Sequence, residues 1–520
     1  MKNYIHCHQG FDLNKGGTVG YLSSLFSGMQ EIENCRGDND LLHSFLFPDI
    51  LPNEKLSNQL IKDLKYNSPF EEIYDYLPND TRPLITAKKD WFHSIIPTQE
   101  LLKINFSRIS SIHIHGAYNF LPIYNTLRMC GIENDVLKIL TTHNPIKPEL
   151  EDIELMKKFN VHTDEQIEEI RYFYRMRDYY AFKYADVIFA PTEESLSAYY
   201  EVDPEFTKLL KNKPIYYSLT GTEKLNVNLS NELLRAKYHI PLTAKIFIHL
   251  GRFANVRGYD VYVDAAKKIL AKEENIYFFA IGETQKVPSI NHPHWIEVGY
   301  TKNPGDYINM ANASIIASRQ NYFDLSMIEN LSLGCPLICS AVGGLNYLKG
   351  KTSGVLYFEP ENSDDLAKQI IKMYNTSDND IKKMKMENID LYRNKMTSKC
   401  FAAGYIKTIN KIYKDFNISD TDRKIIRVPI SIDPVFIEKK LDQASIPAKP
   451  LFNETKLDET QKKYDNRNIR LGDLGLIDLI SKYIEVTDFK KWHPILCNSP
   501  IYYFGRLLYR MRKKRINIRK

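Results

Sequence analysis

The sequence predicts an α/β protein with two doubly wound domains that face a cleft, followed by a mostly helical C-terminal extension. A chain of 520 residues is longer than one small hydrophobic core requires. Short apolar runs alternate with helix-like stretches in both halves, and the alternation breaks around residues 205–225. Because repeated β-loop-α units form parallel sheets with helices on both faces, we expect one such sheet on each side of the break.

The first predicted domain covers residues 1–213. After the strand-like "KNYIHCH" comes a helix-like stretch at 19–32, whose apolar residues recur near a 3.6-residue period. The polar, irregular residues 36–105 are predicted to be an insertion. Further strands are predicted in "SSIHIHG", "LKILTTHN" and "ADVIFAPT".

The second predicted domain covers residues 214–395 and repeats the pattern. Its strands are predicted in "AKIFIHLG", "IYFFAIGE", "HWIEVGY", "ASIIAS" and "PLICSAVGG". Between the last two of these, "LSMIENLSLG" predicts a helix. Residues 396–415 are predicted to form a closing helix, and residues 416–520 a C-terminal extension.

Cysteine usage and hydropathy favour a cytoplasmic protein. The seven cysteines are scattered and include no CxxC pair, which is typical of free thiols in a reducing compartment. The first seventeen residues contain no apolar core of signal-peptide length. No run approaches the roughly 18 apolar residues that a membrane span needs.

The basic excess is concentrated in the last twenty residues. They hold eight Lys or Arg residues and no acid. The whole chain has a net charge of +6, so the chain without these residues has a net charge of −2. This distribution argues against a broad nucleic-acid-binding surface. Phe504, Leu507, Leu508 and Met511 follow helical spacing, so residues 499–520 predict a basic amphipathic helix on the inner face of the membrane. The alternative is a helix that packs on the body of the protein.

Three loops are predicted to lead from strands into helix N-termini, where free N–H groups attract phosphate. The first contains Gly16 and Gly17, which allow close approach of a ligand to the backbone; the alternative is an ordinary flexible turn. The second contains Arg252 and Arg257, which could clamp a diphosphate or simply be solvated. The third precedes the helix that carries Glu329. The carboxylate of Glu329 could bind vicinal sugar hydroxyls, and the alternative is an exposed position on the helix.

Histidines and acidic triplets add further candidates. His113, His115 and His143 lie at predicted strand ends, where an imidazole can bond a hydroxyl or have a structural role. A zinc interpretation of the HxH pair lacks a third ligand at a recognisable spacing. The two DND triplets, Asp38–Asp40 and Asp378–Asp380, are predicted to be turns and not metal sites.

Taken in order, these features resemble glycosyltransferase family 4, whose members have the GT-B fold. The resemblance spans roughly residues 1–415. It is loose in the N-terminal half, in "GGTVGYLSSL", "THN" and "YADVIFAPTEES". It is more specific in the C-terminal half, in "HLGRFANVRGYDVYVDAA", "WIEVGY", "FDLSMIENLSLGCPLICSAVGG" and "SGVLYFEPENSDDLA".

The resemblance implies a role for each matching position. The paired glycines would line the donor's diphosphate and sugar, the two arginines would neutralise the diphosphate, the "EVGY" segment would hold the nucleobase, and the helix acid would bind the ribose. His143 would contact the transferred sugar. The donor-binding residues implied in this way are Gly16, Gly17, Arg252, Arg257, Val298, Tyr300, Leu325, Ser326 and Glu329.

The chain departs from the family's E-x7-E pattern. Asn321 replaces the first Glu, and Asp324 replaces the glycine that normally follows the Phe. An amide can bond sugar hydroxyls but can neither carry charge nor act as a base. The hypothesis is that Asn321 and Asp324, together with His143, form the reacting end of the site and read a sugar other than the commonest donors.

The resemblance therefore implies a retaining transferase that moves a sugar from a nucleoside-diphosphate donor to a glycan or lipid-linked acceptor, in bacterial surface polysaccharide or glycoconjugate synthesis. Whether the donor carries UDP or GDP stays open, and no cofactor or metal is expected. His113 and His115 are acceptor-side candidates. The alternative is a catalytically inactive GT-B protein that binds a glycan or another transferase. A phosphorylase is disfavoured because no lysine motif for a pyridoxal cofactor is recognisable.

Overall fold

The protein is described by a computed structural model. The described residues are 2–6, 17–33, 42–46, 106, 109–129, 131–147, 150, 153, 164–202, 204–282 and 289–418. Gly16, Asp38–Asp40, most of the predicted insertion and the whole of residues 419–520 lie outside them.

The N-terminal half contains a sheet of six parallel strands in the order β2-β1-β3-β4-β5-β6. All pairings within it are parallel, as the β-loop-α pattern predicts. Its strands are β1 Lys2–His6, β2 Leu42–Leu46, β3 Ile109–His115, β4 Leu137–Thr141, β5 Val187–Ala190 and β6 Ile215–Tyr217.

The C-terminal half contains a second sheet of six parallel strands in the order β12-β11-β10-β7-β8-β9. Its centre, β7 and β10, is buried on both faces, which explains the apolar runs seen in the sequence. Its strands are β7 Lys245–Leu250, β8 Ile276–Ile281, β9 Trp295–Gly299, β10 Ala313–Ile316, β11 Leu337–Ser340 and β12 Val355–Phe358.

Helices connect the strands, and several begin at a polar residue that caps free backbone N–H groups. Caps of this kind are Ser230, Asp324, Asn362, Ser377 and Thr397. The described α-helices are α1 Thr18–Glu33, α2 Phe120–Met129, α3 Asp164–Tyr184, α4 Ser197–Val202, α5 Pro204–Lys211, α6 Asn231–Lys237, α7 Tyr259–Leu270, α8 Pro304–Met310, α9 Leu325–Ser332, α10 Ser363–Tyr374, α11 Asp378–Leu391 and α12 Ser398–Asp415. None of the helices in the described ranges is long and apolar enough to cross a membrane.

The closing helix α12 returns to the first domain after the chain has completed the second. Its apolar face, including Phe401, Tyr405 and Ile409, packs with α1 and one face of the first sheet. The crossing is fixed where Thr222 in the forward linker exchanges backbone hydrogen bonds with Met396 and Ser398 in the return segment. The chain thus passes between the two domains twice, and the two connecting segments lie side by side at Thr222 and residues 396–398.

Several expectations need adjustment. Within the predicted insertion 36–105, residues 42–46 form β2, which pairs with β1. The first sheet extends to Tyr217, beyond the predicted boundary after residue 213, because β6 pairs with β5.

The prediction of a turn at Asp378–Asp380 is wrong, since these residues form the first turn of α11 under the Ser377 cap. Acids in the first turn favour a helix because they face its positive end.

The contact between α1 and α12 generates a stability prediction. A Cβ atom added at Gly28 would lie 2.0 Å from the Ser398 carbonyl oxygen and 2.9 Å from the Ala402 Cβ. Gly28→Ala should therefore push α12 away and lower the free energy of unfolding by about 1–3 kcal/mol. Chemical unfolding monitored by circular dichroism measures this, with Gln30→Ala on the exposed face of α1 as the control. A Gly28→Ala protein as stable as wild type would contradict the close packing.

Candidate functional site

A pocket lies between the two domains, at the carboxyl ends of strands from both sheets. This is where ligands bind in open parallel sheets. Elements from the first domain contribute one wall, and the loops after β7 and β10 contribute the other. Its lining residues are Gly17, Tyr21, His143, Pro145, Pro191, Thr220, Arg257, Gln320, Asn321, Tyr322, Phe323, Asp324 and Leu325.

The wall from the first domain begins with Gly17, just before α1. Its φ of 69° lies in the left-handed region, and no atom of the described residues lies within 4 Å of where a Cβ would stand. The Gly17 carbonyl accepts the Tyr21 N–H at 3.0 Å, which starts the helix and brings the Tyr21 ring into the pocket. Glycine at position 17 therefore satisfies a backbone requirement that most side chains would not.

His143 lies in the pocket in a constrained conformation. It follows β4 with a φ of 61°, which is uncommon for a residue with a side chain. Its Nε2 is 2.7 Å from Nδ1 of the fully buried His115, and the Tyr21 ring packs edge-on against it at 4.7 Å. Burial lowers the pKa of His143 to about 3, so the imidazole is neutral at physiological pH.

Neither His113 nor His115, two residues farther along β3, lines the pocket. The His113 side chain is 0% exposed, and both ring nitrogens are hydrogen-bonded, Nε2 to Thr141 at 2.8 Å and Nδ1 to the Tyr405 hydroxyl at 2.9 Å. Because Thr141 donates its own proton to the Phe189 carbonyl, it must accept from His113 Nε2–H. His113 therefore joins β3 to the closing helix as a neutral, structural histidine.

Asp324 organises the wall from the second domain. It is the N-cap of α9, where its Oδ1 accepts the Ser326 N–H at 3.1 Å and the Ser326 hydroxyl at 2.9 Å. Its Oδ2 forms an ion pair with Arg257. Burial alone would raise the pKa of Asp324, but the charge of Arg257 and the hydrogen bonds from Ser326 and Arg257 outweigh it and hold the pKa below its usual range.

Arg257 is held by the loop between β7 and α7. Gly258 ends this loop with a φ of 62°, and a Cβ there would lie 1.8 Å from the Ala317 carbonyl oxygen. The loop is also tied to the segment after β10, because Arg319 N–H donates to the Val256 carbonyl and the Arg319 guanidinium binds Asp260 through two hydrogen bonds of 2.8 and 2.6 Å. The two loops therefore form one rigid wall.

Asn321 lies deep in this wall. Its side chain is 3% exposed, and its Nδ2 is 3.3 Å from Asp324 Oδ2. Its backbone carbonyl accepts the Gly344 N–H at 3.0 Å, and a Cβ at Gly343 would lie 1.9 Å from the same oxygen. Close backbone packing thus fixes the position from which the Asn321 amide faces the pocket.

Glu329 is one turn farther along α9. Burial, and then the charge of Asp324, raise the pKa of its carboxyl from 4.5 to about 7. Among the described residues its side chain has no hydrogen-bond or ion-pair partner, which sets it apart from Asp324. A carboxyl group with a pKa near 7 changes its charge readily when a ligand supplies hydrogen-bond donors.

The structure brings six of the predicted site residues together: Gly17, His143, Arg257, Asn321, Asp324 and Leu325. Ser326 bonds to Asp324, and His115 supports His143 from below. Arg252, Val298 and Tyr300 do not line the pocket; Tyr300 is 57% exposed at the end of the edge strand β9. The described residues contain no cluster of three His, Cys, Asp or Glu side chains suited to a metal ion.

Sequence reasoning missed the pocket residues Tyr21, Thr220 and Tyr322. Tyr21 had a usable signal, because it is one helical turn after the predicted glycine loop. Tyr322 stands between two residues that the family pattern singled out. Thr220 had no signal, since its position depends on how the linker crosses between the domains.

The raised pKa of Glu329 has a consequence for stability. Its folded pKa of about 7 exceeds the ordinary 4.5, so the folded state binds the proton more tightly and stability falls as pH rises from 4.5 through 7. Glu329→Gln should abolish this loss and stabilise the protein by roughly 1–3 kcal/mol above pH 7, with little effect at pH 4.5. Unfolding at several pH values measures the difference, with exposed Glu274→Gln as the control. A pH-independent effect of Glu329→Gln would contradict the elevated pKa.

Comparison with known proteins finds sequence similarity to glycosyltransferases in part of the chain. Residues 244–376 match the family model described as "Glycosyl transferases group 1". An uncharacterized glycosyltransferase of Methanocaldococcus jannaschii is 26% identical over 168 residues, which are 31% of this chain and 40% of that protein. A Bacillus subtilis protein named as a glycosyltransferase of teichuronic acid biosynthesis is 23% identical over 145 residues, or 28% of this chain and 36% of that one. The matches thus span about two fifths of these curated relatives.

Solved structures match over a longer part of the chain. Sucrose-phosphate synthase from Thermosynechococcus elongatus superposes with a TM-score of 0.53 and 15% identity, covering 80% of this chain and 99% of that one. A trehalose-6-phosphate synthase superposes with a TM-score of 0.50 and 12% identity, covering 79% and 99%. The architecture is therefore the predicted GT-B fold, and residues 244–376 resemble group 1 glycosyl transferases.

Proposed function

We propose that the protein is a glycosyltransferase that moves a sugar from a nucleoside-diphosphate donor to a glycan or lipid-linked acceptor, with retention of configuration. The observation that carries the proposal is the position of Arg257. This cation lies beside the N-terminus of α9, in a pocket between two parallel sheets. A guanidinium beside the positive end of a helix favours the binding of phosphate oxygens.

In the proposed reaction, Arg257 stabilises the negative charge that develops on the departing diphosphate. Such stabilisation depends on a cation that is already oriented when the reaction begins. The ion pair with Asp324 supplies this orientation, since both groups are partly or fully buried and Asp324 is itself fixed at the helix cap. The donor's diphosphate then shares Arg257 with Asp324.

His143 and Glu329 would act on the two sugars of the donor. The neutral His143 bonds His115 through Nε2, and no described residue bonds its Nδ1, which would meet a hydroxyl of the transferred sugar. Glu329 would bind the ribose hydroxyls, and these donors would favour its ionised form. Exposed Arg252, together with Val298 and Tyr300, stays a proposed contact for the diphosphate and the base.

The relatives supply context for the acceptor. A role in a surface polymer is suggested by the name of the Bacillus subtilis relative. The competing proposal is a catalytically inactive protein of the same fold that only binds a glycan or another transferase. It draws on Asn321, which replaces an acid of the family pattern with a neutral amide.

Hydrolysis of nucleotide sugars separates these two proposals. Asp324→Asn keeps a good helix cap but loses the ion pair with Arg257. We expect wild type to release diphosphate slowly from at least one UDP- or GDP-sugar. The hydrolysis rate of Asp324→Asn should be lower by a factor of about ten or more, because a charge-assisted contact is lost. Stabilisation of the variant by UDP or GDP should remain.

The matched control is Asp364→Asn, which removes an exposed ion pair to Lys268 between residues that do not line the pocket, and it should leave the hydrolysis rate unchanged. Wild-type protein that is stabilised by a nucleotide but turns over no donor would support the binding-only alternative and overturn the enzymatic one. Hydrolysis that is equally fast in Asp324→Asn would remove Asp324 from the proposed site.

A lipid-linked acceptor is favoured by the basic residues at 499–520, which lie outside the described residues. Cationic side chains beside an apolar stripe bind anionic lipid surfaces. Peripheral association with the cytoplasmic face of the membrane is therefore part of the proposal.

Deleting residues 499–520 should shift the protein from the pellet to the supernatant when it is centrifuged with liposomes that contain anionic lipid. The electrostatic part of the binding should weaken as salt is added. Liposomes of neutral lipid are the control. Equal pelleting of the full chain and the truncated chain would exclude the tail as the membrane contact.

A further inference from the structure

The first sheet ends at β6, and a groove runs along the free edge of this strand. Among the described strands, β6 pairs with β5 alone. The groove has a volume of about 450 Å³, with β6 on one side and α12 on the other. Its lining residues are Pro214, Ile215, Tyr216, Tyr217, Thr408, Lys411 and Asp415. A free strand edge presents N–H and C=O groups with which a further strand can pair.

The backbone groups of Ile215 and Tyr217 face this groove. The Pro214 carbonyl accepts a hydrogen bond from β5 and the Ser218 N–H donates one to β5, each at 3.0 Å. Because successive residues of a strand bond toward opposite edges, Ile215 and Tyr217 point away from β5. The Thr408 hydroxyl lies 3.4 Å from the Tyr217 carbonyl and donates over a shorter 2.9 Å to its own helix. The Tyr217 carbonyl can therefore accept a closer donor.

The chain leaves α12 beside the groove. Asp415, in the last turn of the helix, accepts the Tyr216 hydroxyl at 2.7 Å. Asn417 has a φ of 52°, and the Ile418 N–H donates to a carbonyl of the last helical turn at 2.9 Å. A left-handed residue with such a bond ends a helix and turns the chain away from its axis. The segment after Ile418 therefore starts next to the free edge of β6.

The direction of α12 determines how a returning strand would run. Thr408 lies beside Tyr217, and Asp415, farther along the helix, bonds Tyr216, which is earlier in the strand. The helix thus runs opposite to β6. A segment that reverses direction after α12 runs parallel to β6, as all neighbouring strands of this sheet do.

The sequence after Ile418 contains a segment with the alternation of a half-buried strand. The segment lies outside the described residues and begins eight positions after Ile418. Eight extended residues span up to about 26 Å, which is enough for the chain to reverse and lie beside β6. The apolar positions of the segment are Ile426, Val428, Ile430 and Ile432, and they alternate with Arg427, Pro429, Ser431 and Asp433.

Pro429 determines which edge of the segment can pair with β6. Proline has no N–H to donate, so it is tolerated in a strand where its nitrogen faces away from the neighbouring strand. With Pro429 facing away, the N–H groups of the four apolar positions face β6. The proline then lies on the new outer edge, where it discourages the addition of yet another strand.

The same arrangement places the apolar side chains against α12. In a parallel pair, a residue that bonds its neighbour is level with a residue that faces away from it, as Ile188 of β5 bonds β6 and is level with Ile215. The apolar positions of the segment would therefore be level with Tyr216. Tyr216 packs on the same side as the partly buried Phe416 and Ile418, at the rim of the cluster formed by α12 and the sheet.

We propose that residues 426–432 form a seventh parallel strand of the first sheet on the free edge of β6, with their apolar side chains toward α12. The strand covers the groove and continues the hydrophobic cluster at its rim. It also fixes the start of the C-terminal extension to the first domain. This assignment does not depend on the proposed function, because it rests on strand pairing and side-chain alternation alone.

Hydrogen exchange of the full-length protein, measured by mass spectrometry at single-residue resolution, tests the proposal. The amides of Ile215 and Tyr217 should exchange slowly in wild type, because the added strand accepts their hydrogen bonds. Exchange in β7 of the second domain is the internal reference, since it should be equal in wild type and in every variant.

Adjacent positions of the segment give two matched pairs of variants. Ile430→Asp places a charge on the buried face, and Ser431→Asp places it on the exposed face. Val428→Pro removes an N–H that faces β6, and Ser431→Pro removes one that faces away. Exchange at Ile215 and Tyr217 should be faster by a factor of about ten or more in Ile430→Asp and Val428→Pro, because a buried unpaired charge or a lost hydrogen bond opposes docking. Both Ser431 variants should match wild type.

Three results would overturn the assignment. The first is fast exchange at Ile215 and Tyr217 in wild type. The second is slow exchange that persists in all four variants, and if it also increases with protein concentration, the edge pairs with a second copy of the chain. The third is equal loss of protection within both pairs. A variant that also exchanges faster in β7 is destabilised as a whole, and the other pair then decides.

Discussion

The cleft depends on one buried carboxylate, Asp324. It caps α9, pairs with Arg257, contacts the amide of Asn321 and raises the pKa of Glu329. A buried charge is tolerated only when it is paired and hydrogen-bonded, so these contacts are also the reason that Asp324 can remain ionised. Loss of the whole Asp324 side chain would leave Arg257 partly buried without its anion and α9 without its cap. The same carboxylate therefore stabilises the pocket wall formed by the second domain and sets the charge of the pocket.

The opposite wall depends on the closing helix α12. The Tyr405 hydroxyl bonds His113, and the Tyr413 hydroxyl bonds Ser111, so a buried polar chain connects this helix to β3. Because unsatisfied polar groups are costly, the helix can bury these hydroxyls only in a register that pairs them. The chain thus returns to the first domain in one position, and the pocket keeps a wall from each domain.

The fold could largely be predicted from the sequence, whereas the partnerships in the site could not. Strands such as Ala313–Ile316 and the helix Leu325–Ser332 are apolar or amphipathic enough to be recognised locally. The short strand β2 was missed because its few residues lie among polar ones and pair with β1 across the sheet. The contact between Arg257 and Asp324 joins residues 67 positions apart, so it follows from sheet order and not from a local pattern.

The same electrostatics account for the amide at position 321. Glu329 already has a pKa of about 7 because burial and the charge of Asp324 both oppose its ionisation. A carboxylate at 321 would stand within hydrogen-bond distance of Asp324, where Asn321 now donates at 3.3 Å, and would compete with Asp324 for Arg257. Two adjacent carboxylates that share one cation cannot both ionise without a large shift in pKa. The carboxylate of Asp324 at the helix cap therefore requires a neutral side chain at position 321. With an amide there, one full negative charge remains beside Arg257.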